Sequence, residues 1–77
     1  MPFPLPSDPD FRKTVVSYWL EDVDDRLSLG SPEDAEVSWK IANEIYLSLP
    51  PGHGDMQLED WLFAQRVKLD QTLPSNQ

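Results

Sequence analysis

Prolines and glycines divide this chain into three segments, and each segment is long enough to form one helix. Pro9 and Pro32 stand where a helix would begin, whereas Gly30 and the run Pro50-Pro51-Gly52 stand where one would end. Proline fits the first turn of a helix but breaks its interior, and glycine readily adopts the left-handed conformation that ends helices. The positions of these residues therefore predict the helix boundaries.

Apolar residues recur every three or four positions in the first segment, which is the spacing of one helical face. Ser7 or Asp8 is a suitable N-cap before Pro9, and Gly30 is a suitable terminating residue. We therefore predict a first helix whose inner half carries Phe11, Val15, Val16, Trp19, Leu20, Val23 and Leu27.

The second and third segments show the same periodicity. Ser31 and Pro32 open the second, where Asp34 completes an approximate capping box with Ser31. Glu36 and Lys40 are spaced as an ion pair on its outer face. Asp55 caps the third, a helix from about Met56 to Thr72. The inner positions are Ala35, Trp39, Ala42, Tyr46 and Leu49 in the second helix, and Leu58, Trp61, Leu62, Leu69 and Leu73 in the third.

These segments predict an all-α fold, a small three-helix bundle in which a helical hairpin packs against a third helix. The three-helix domain covers residues 7–73, and residues 74–77 form a C-terminal tail. In residues 1–6, proline at every second position favours an extended N-terminal arm. Phe3 and Leu5 of this arm either cover part of the core or enter a partner's groove. With no cysteine, the core depends on packing alone.

Few side chains suited to catalysis or metal binding are present. The chain has no cysteine, and its one histidine, His53, lies between two glycines. Nucleophilic catalysis needs a base held in position by a third group, which this loop does not supply. A calcium loop beginning at Asp22 would have Leu27 at the position that requires glycine. We therefore expect a protein that is not an enzyme and binds no cofactor or metal.

The net charge is −8, from fourteen acidic and six basic residues. Nucleic acids and anionic membranes select basic surfaces, so this charge argues against both as direct partners and favours a basic protein. No apolar run reaches the roughly 20 residues that span a bilayer. The first residues do not resemble a signal peptide, so we expect a cytoplasmic protein.

The acidic residues are concentrated around the predicted hairpin turn. Those at the start of the second helix are stabilised by its dipole, whereas those near the end of the first are not. The group is either a solvated face or a recognition surface for a site rich in lysine and arginine. Its members are Glu21, Asp22, Asp24, Asp25, Glu33, Asp34 and Glu36.

An apolar stripe also lies outside the predicted core of the third helix. Met56, Phe63 and Val67 are roughly 120–160° away from its inner face, and Leu47 points away from the inner face of the second helix. The N-terminal arm, a partner or a second copy of the chain could cover this surface. We accordingly expect a monomer or a weak homodimer.

Together, these features predict a non-enzymatic protein-interaction module, such as a small acidic regulator, inhibitor or accessory subunit. It would dock on a basic partner surface through the acidic hairpin tip and the apolar patch. The alternative is a nucleic-acid mimic, in which the carboxylates imitate phosphates and inhibit a DNA- or RNA-binding protein.

Overall fold

Three helices make up the fold in a computed structural model that describes residues 8–73. They are α1 (Pro9–Ser28), α2 (Pro32–Leu47) and α3 (Met56–Thr72), and no strand occurs within that range. The predicted all-α three-helix bundle is confirmed. The predicted arm at residues 1–6, the possible cap Ser7 and the tail at residues 74–77 lie outside the described residues.

Local sequence signals place most of the helix ends. Asp8 Oδ1 accepts a hydrogen bond from the Asp10 amide at 3.0 Å, and the Asp55 carboxylate caps α3 in the same way. Gly30 has a φ of 80°, which confirms its predicted left-handed conformation. Ser31 is the N-cap residue of α2, but its side chain makes no capping hydrogen bond. The predicted capping box is therefore wrong, because Ser31 (φ −118°, ψ 68°) lacks the extended backbone of the two aspartate caps.

The core consists of two clusters along the bundle. One contains Val16, Leu20, Ala42, Leu58 and Leu62, and the other contains Val23, Ala35 and Leu69. The three tryptophans are half-buried around the first cluster. Phe11 is 46% exposed, so its predicted inner position is wrong. On the helical wheel it lies about 140° from Val16, which is too far round α1 to face the core.

Cross-helix hydrogen bonds show how the helices are paired. The α1/α2 hairpin is antiparallel, because Ser38 contacts Asp22 near its turn and Arg12 contacts Ser48 at its open end. On α3, the fully buried Gln65 donates from Nε2 to the carbonyl oxygen of α1 residue Leu20 at 3.0 Å. The Trp39 indole of α2 donates to the Leu62 carbonyl oxygen of α3 at 2.8 Å. Both helices of the hairpin are thus bonded to α3.

Candidate interaction surface

Three of the predicted acidic site residues have structural partners, and two of these lie on α1. The Ser38 hydroxyl donates to Asp22 Oδ2 at 2.6 Å, and the Arg26 Nε lies 3.3 Å from the same oxygen. Asp24 forms an ion pair with Lys68 of α3 at 2.9 Å. Asp22 and Arg26 are four residues apart on α1, a spacing that places their side chains side by side. Both carboxylates connect α1 to another helix, so they contribute to the fold.

The third partnered acid is Glu36 of α2, which binds Arg66 of α3 at 3.1 Å. The predicted partner was Lys40, and that prediction is wrong because the Glu36 carboxylate pairs with the guanidinium of Arg66 from α3. Arg66 also binds Asp70 at 2.7 Å and lies 5.0 Å from the centre of the Trp39 ring. Its hydrogen bond to Asp70 raises the pKa of the Arg66 guanidinium above its ordinary value. Arg66 therefore remains charged at the α2/α3 junction.

The other four predicted acidic residues are exposed at the closed end of the hairpin. Glu21 and Asp25 lie on the last turns of α1, and Glu33 and Asp34 lie on the first turn of α2. Within residues 8–73 none of the four carboxylates forms an ion pair. We call these four residues the acidic tip. They form a concentrated negative surface that the described fold leaves available.

The Asp22–Ser38 hydrogen bond brings one face of α1 beside one face of α2. Asp25, three residues after Asp22, shares its face, and Asp34 shares the face of Ser38 one turn earlier. Asp24 and Glu36, which bind α3, are each two residues from Asp22 and Ser38, so they lie about 160° away on their helices. The side of the hairpin that carries Asp25 and Asp34 therefore faces away from α3.

That side also carries exposed apolar residues outside the surfaces predicted from the sequence. Tyr18 is 65% exposed, Leu29 is 76% exposed and Val37 is 56% exposed. Tyr18 and Leu29 are four and seven residues from Asp22, and Val37 is three residues after Asp34, so they share the faces of those acids. In the sequence, the helical spacing of these residues from Asp22 and Asp34 is the signal that could have identified them. We call Tyr18, Asp25, Leu29, Asp34 and Val37 the hairpin face.

The apolar patch predicted from the sequence lies elsewhere. Met56 and Phe63 are 78% and 71% exposed on α3, and Val67 is less exposed on the same outer side. These three residues form the α3 outer stripe, which is opposite the buried face of that helix. Leu47 is also exposed, at the end of α2 that leads into the loop before Met56. The α3 outer stripe thus lies on a different helix from the acidic tip, and Leu47 lies at the opposite end of α2 from Glu33 and Asp34.

A hydrogen-bonded group stabilises that loop end of the bundle. The Tyr46 hydroxyl donates to Glu59 Oε2 at 2.6 Å and accepts from the Asp55 amide at 2.8 Å. Burial, followed by the hydrogen bond to Glu59, raises the pKa of the Tyr46 phenol above its ordinary value. Because these groups already bind one another and connect α2 to α3, we assign them to the fold.

Clefts, groups of metal ligands and long apolar helices are the other features that could carry a function. A cleft of about 230 Å³ between α1 and α3 is lined by residues that include Lys13, Asp55 and Trp61. It is smaller than the roughly 300–1,000 Å³ of typical ligand sites. Residues 8–73 contain no group of three or more metal-ligating side chains suited to hold an ion. In the same range, no helix is both long and apolar enough to cross a membrane.

Comparisons with known proteins add no assignment, because no family model, curated protein or solved structure matches this chain. Among the described residues, the acidic tip and the exposed apolar side chains beside it give the clearest indication of the kind of partner that would bind.

Proposed function

We propose that this protein is a non-enzymatic interaction module that docks on a basic protein surface through its acidic tip. It would act as a small regulator, inhibitor or accessory subunit. The observation that supports this proposal is the set of four exposed carboxylates, Glu21, Asp25, Glu33 and Asp34, with no ion-pair partner among residues 8–73. The neighbouring acids already have partners, which leaves these four for an external cation.

Electrostatics favours such a partner at two stages of binding. The net charge of −8 speeds the approach of a basic surface from solution, and the acidic tip orients it at close range. Acids at the start of α2 are also stabilised by the helix dipole, whereas Glu21 and Asp25 lie near the negative end of α1. Placing charge against this local preference costs a few tenths of a kcal/mol for each residue, and a bound cation would offset that cost.

Affinity capture from a lysate of the cells that produce the protein tests the proposal. The tethered protein is compared with Asp25→Asn/Asp34→Asn, and with the matched control Glu44→Gln/Asp60→Asn, which removes the same charge from exposed positions elsewhere. A basic protein should be retained by the wild type and the control, released by salt, and lost with the tip variant. Equal retention by both variants would contradict docking at the tip.

The α3 outer stripe provides a second comparison. Phe63→Ala shortens an exposed side chain there without altering the charge of the acidic tip. If this substitution abolishes capture and the tip variant does not, the partner docks on α3 instead. If the captured protein binds DNA or RNA and added nucleic acid releases it, the protein acts as a nucleic-acid mimic.

A further inference from the structure

We infer that the hairpin face binds a basic amphipathic helix of the partner protein, a conclusion that rests on the proposed docking function. This face combines the exposed side chains of Tyr18, Leu29 and Val37 with the carboxylates of Asp25 and Asp34. It lies opposite α3, so the described fold does not cover it. The remaining members of the acidic tip, Glu21 and Glu33, lie at its margin.

The charge pattern selects the class of occupant. Arg26 lies beside this face, but Asp22 pairs with it at 3.3 Å, so the carboxylates of Asp25 and Asp34 determine the sign of the local potential. A second copy of the chain would place like charges against one another and is disfavoured. An anionic membrane or a nucleic acid is disfavoured for the same reason. The occupant must supply cations alongside apolar side chains.

The backbone of the hairpin determines the form of that occupant. Residues on this face belong to α1 and α2 or to the turn between them, and backbone groups inside a helix are already hydrogen-bonded. A partner strand would find no sheet edge with which to pair, whereas a helix satisfies its own backbone groups. A helix can therefore lie on this side of the hairpin as α3 lies on the other.

The dimensions suit a short helix. Tyr18 and Leu29 are eleven residues apart on α1 and its cap, which corresponds to about 16 Å at 1.5 Å per residue. A partner helix of about three turns covers this length. Its apolar side chains would contact Tyr18, Leu29 and Val37, and flanking lysines or arginines would reach the carboxylates.

A designed helical peptide tests the inference directly. The probe is a fluorescein-labelled peptide of lysine and leucine in which the leucines recur every three or four residues, as on one face of a helix. Its control has the same composition in an order that disperses the leucines around the helix. Fluorescence anisotropy at physiological salt should show binding of the amphipathic peptide that is about tenfold tighter than that of the control.

Two matched variants locate the binding site. Leu29→Ala/Val37→Ala should weaken binding of the amphipathic peptide about tenfold, whereas Met56→Ala/Phe63→Ala should leave it unchanged. All four side chains are exposed, and circular dichroism checks that both variants keep their helical content. Equal binding of the two peptides, or a greater loss in the α3 variant, would overturn the inference. Tip-dependent capture of a basic protein could still succeed in that case, so failure of this inference is distinguishable from failure of the proposed function.

Discussion

Replacing Arg66 by methionine should destabilise the protein by about 1–2 kcal/mol. The substitution keeps an apolar chain against Trp39 but removes the contacts to Glu36 at 3.1 Å and Asp70 at 2.7 Å, and the cation over the indole ring. A partly exposed ion pair contributes about 0.2–1 kcal/mol. The contact with the ring contributes about 0.5–1 kcal/mol. Because the Arg66 side chain is 28% exposed, solvent screening weakens both ion pairs and keeps the total loss at about 1–2 kcal/mol.

Lys68→Met is the matched control, because it removes one positive charge from the same helix. Within residues 8–73 the Lys68 ammonium forms an ion pair with Asp24 alone, and both side chains are about half exposed at 52% and 49%. Its loss should cost less than about 1 kcal/mol. Urea unfolding followed by circular dichroism measures the free energy of unfolding of both variants. In thermal unfolding, a change of 1 kcal/mol moves the melting temperature of a domain this small by about 4–8 °C.

Equal destabilisation by the two substitutions would refute this reasoning, since it would show that the protein responds to net charge and not to the local contacts of Arg66. A double-mutant cycle with Glu36→Gln provides a second check. Coupling between Glu36 and Arg66 is expected to be favourable. Strictly additive losses would show that their ion pair does not stabilise the α2/α3 junction.

Three further predictions test the core, a helix end and a titrating group. Leu69→Ala should lower the free energy of unfolding in urea by about 2–5 kcal/mol because Leu69 is fully buried. Phe63→Ala, at an exposed position, should change it by less than about 0.5 kcal/mol. Similar losses in the two variants would contradict the burial of Leu69. Gly30→Ala should cost about 1–2 kcal/mol in the same assay because φ is +80°, although no atom lies within 4 Å of an added Cβ; a neutral result would contradict that conformation. The chain has two tyrosines, so the Tyr18→Phe variant leaves Tyr46 as the one phenol that ultraviolet absorbance follows. Tyr46 should ionise above pH 10.0 in the folded protein and near pH 10.0 in the protein unfolded by urea. As the pH rises, the unfolded state loses the Tyr46 proton before the folded state does. The stability that this group contributes below pH 10.0 should therefore be lost as the pH rises through the raised pKa of Tyr46. Identical titrations of the folded and unfolded protein would contradict a raised pKa.

Much of the fold could be predicted because its signals are local. The helix ends at Asp8, Gly30 and Asp55 depend on hydrogen bonds and backbone angles within a few residues, so the local sequence is sufficient to predict them. Periodicity likewise identified Leu20 and Leu69 as core residues. By contrast, the burial of polar residues could not be read from this pattern, because it depends on acceptors supplied by another helix.

Gln65 illustrates that limit. Its polar side chain can be buried among the apolar residues of α3 because its amide donates to the Leu20 carbonyl oxygen of α1, a partner forty-five residues away along the chain. Pattern analysis assigns a polar residue to solvent unless the partner is known. Ser38 is buried for a comparable reason, since its hydroxyl donates to Asp22.

By itself, the sequence determined three helices, most of their ends and a concentration of acids near one turn. Only the tertiary structure divided those acids, because α3 brings Lys68 to Asp24 and Arg66 to Glu36 while leaving Asp25 and Asp34 on the opposite side of the hairpin. Helical periodicity depends on neighbouring residues, whereas the partner of a charge depends on which helix packs against it. For that reason the acids could be located from the sequence, but those available to a partner could be distinguished only in the folded chain.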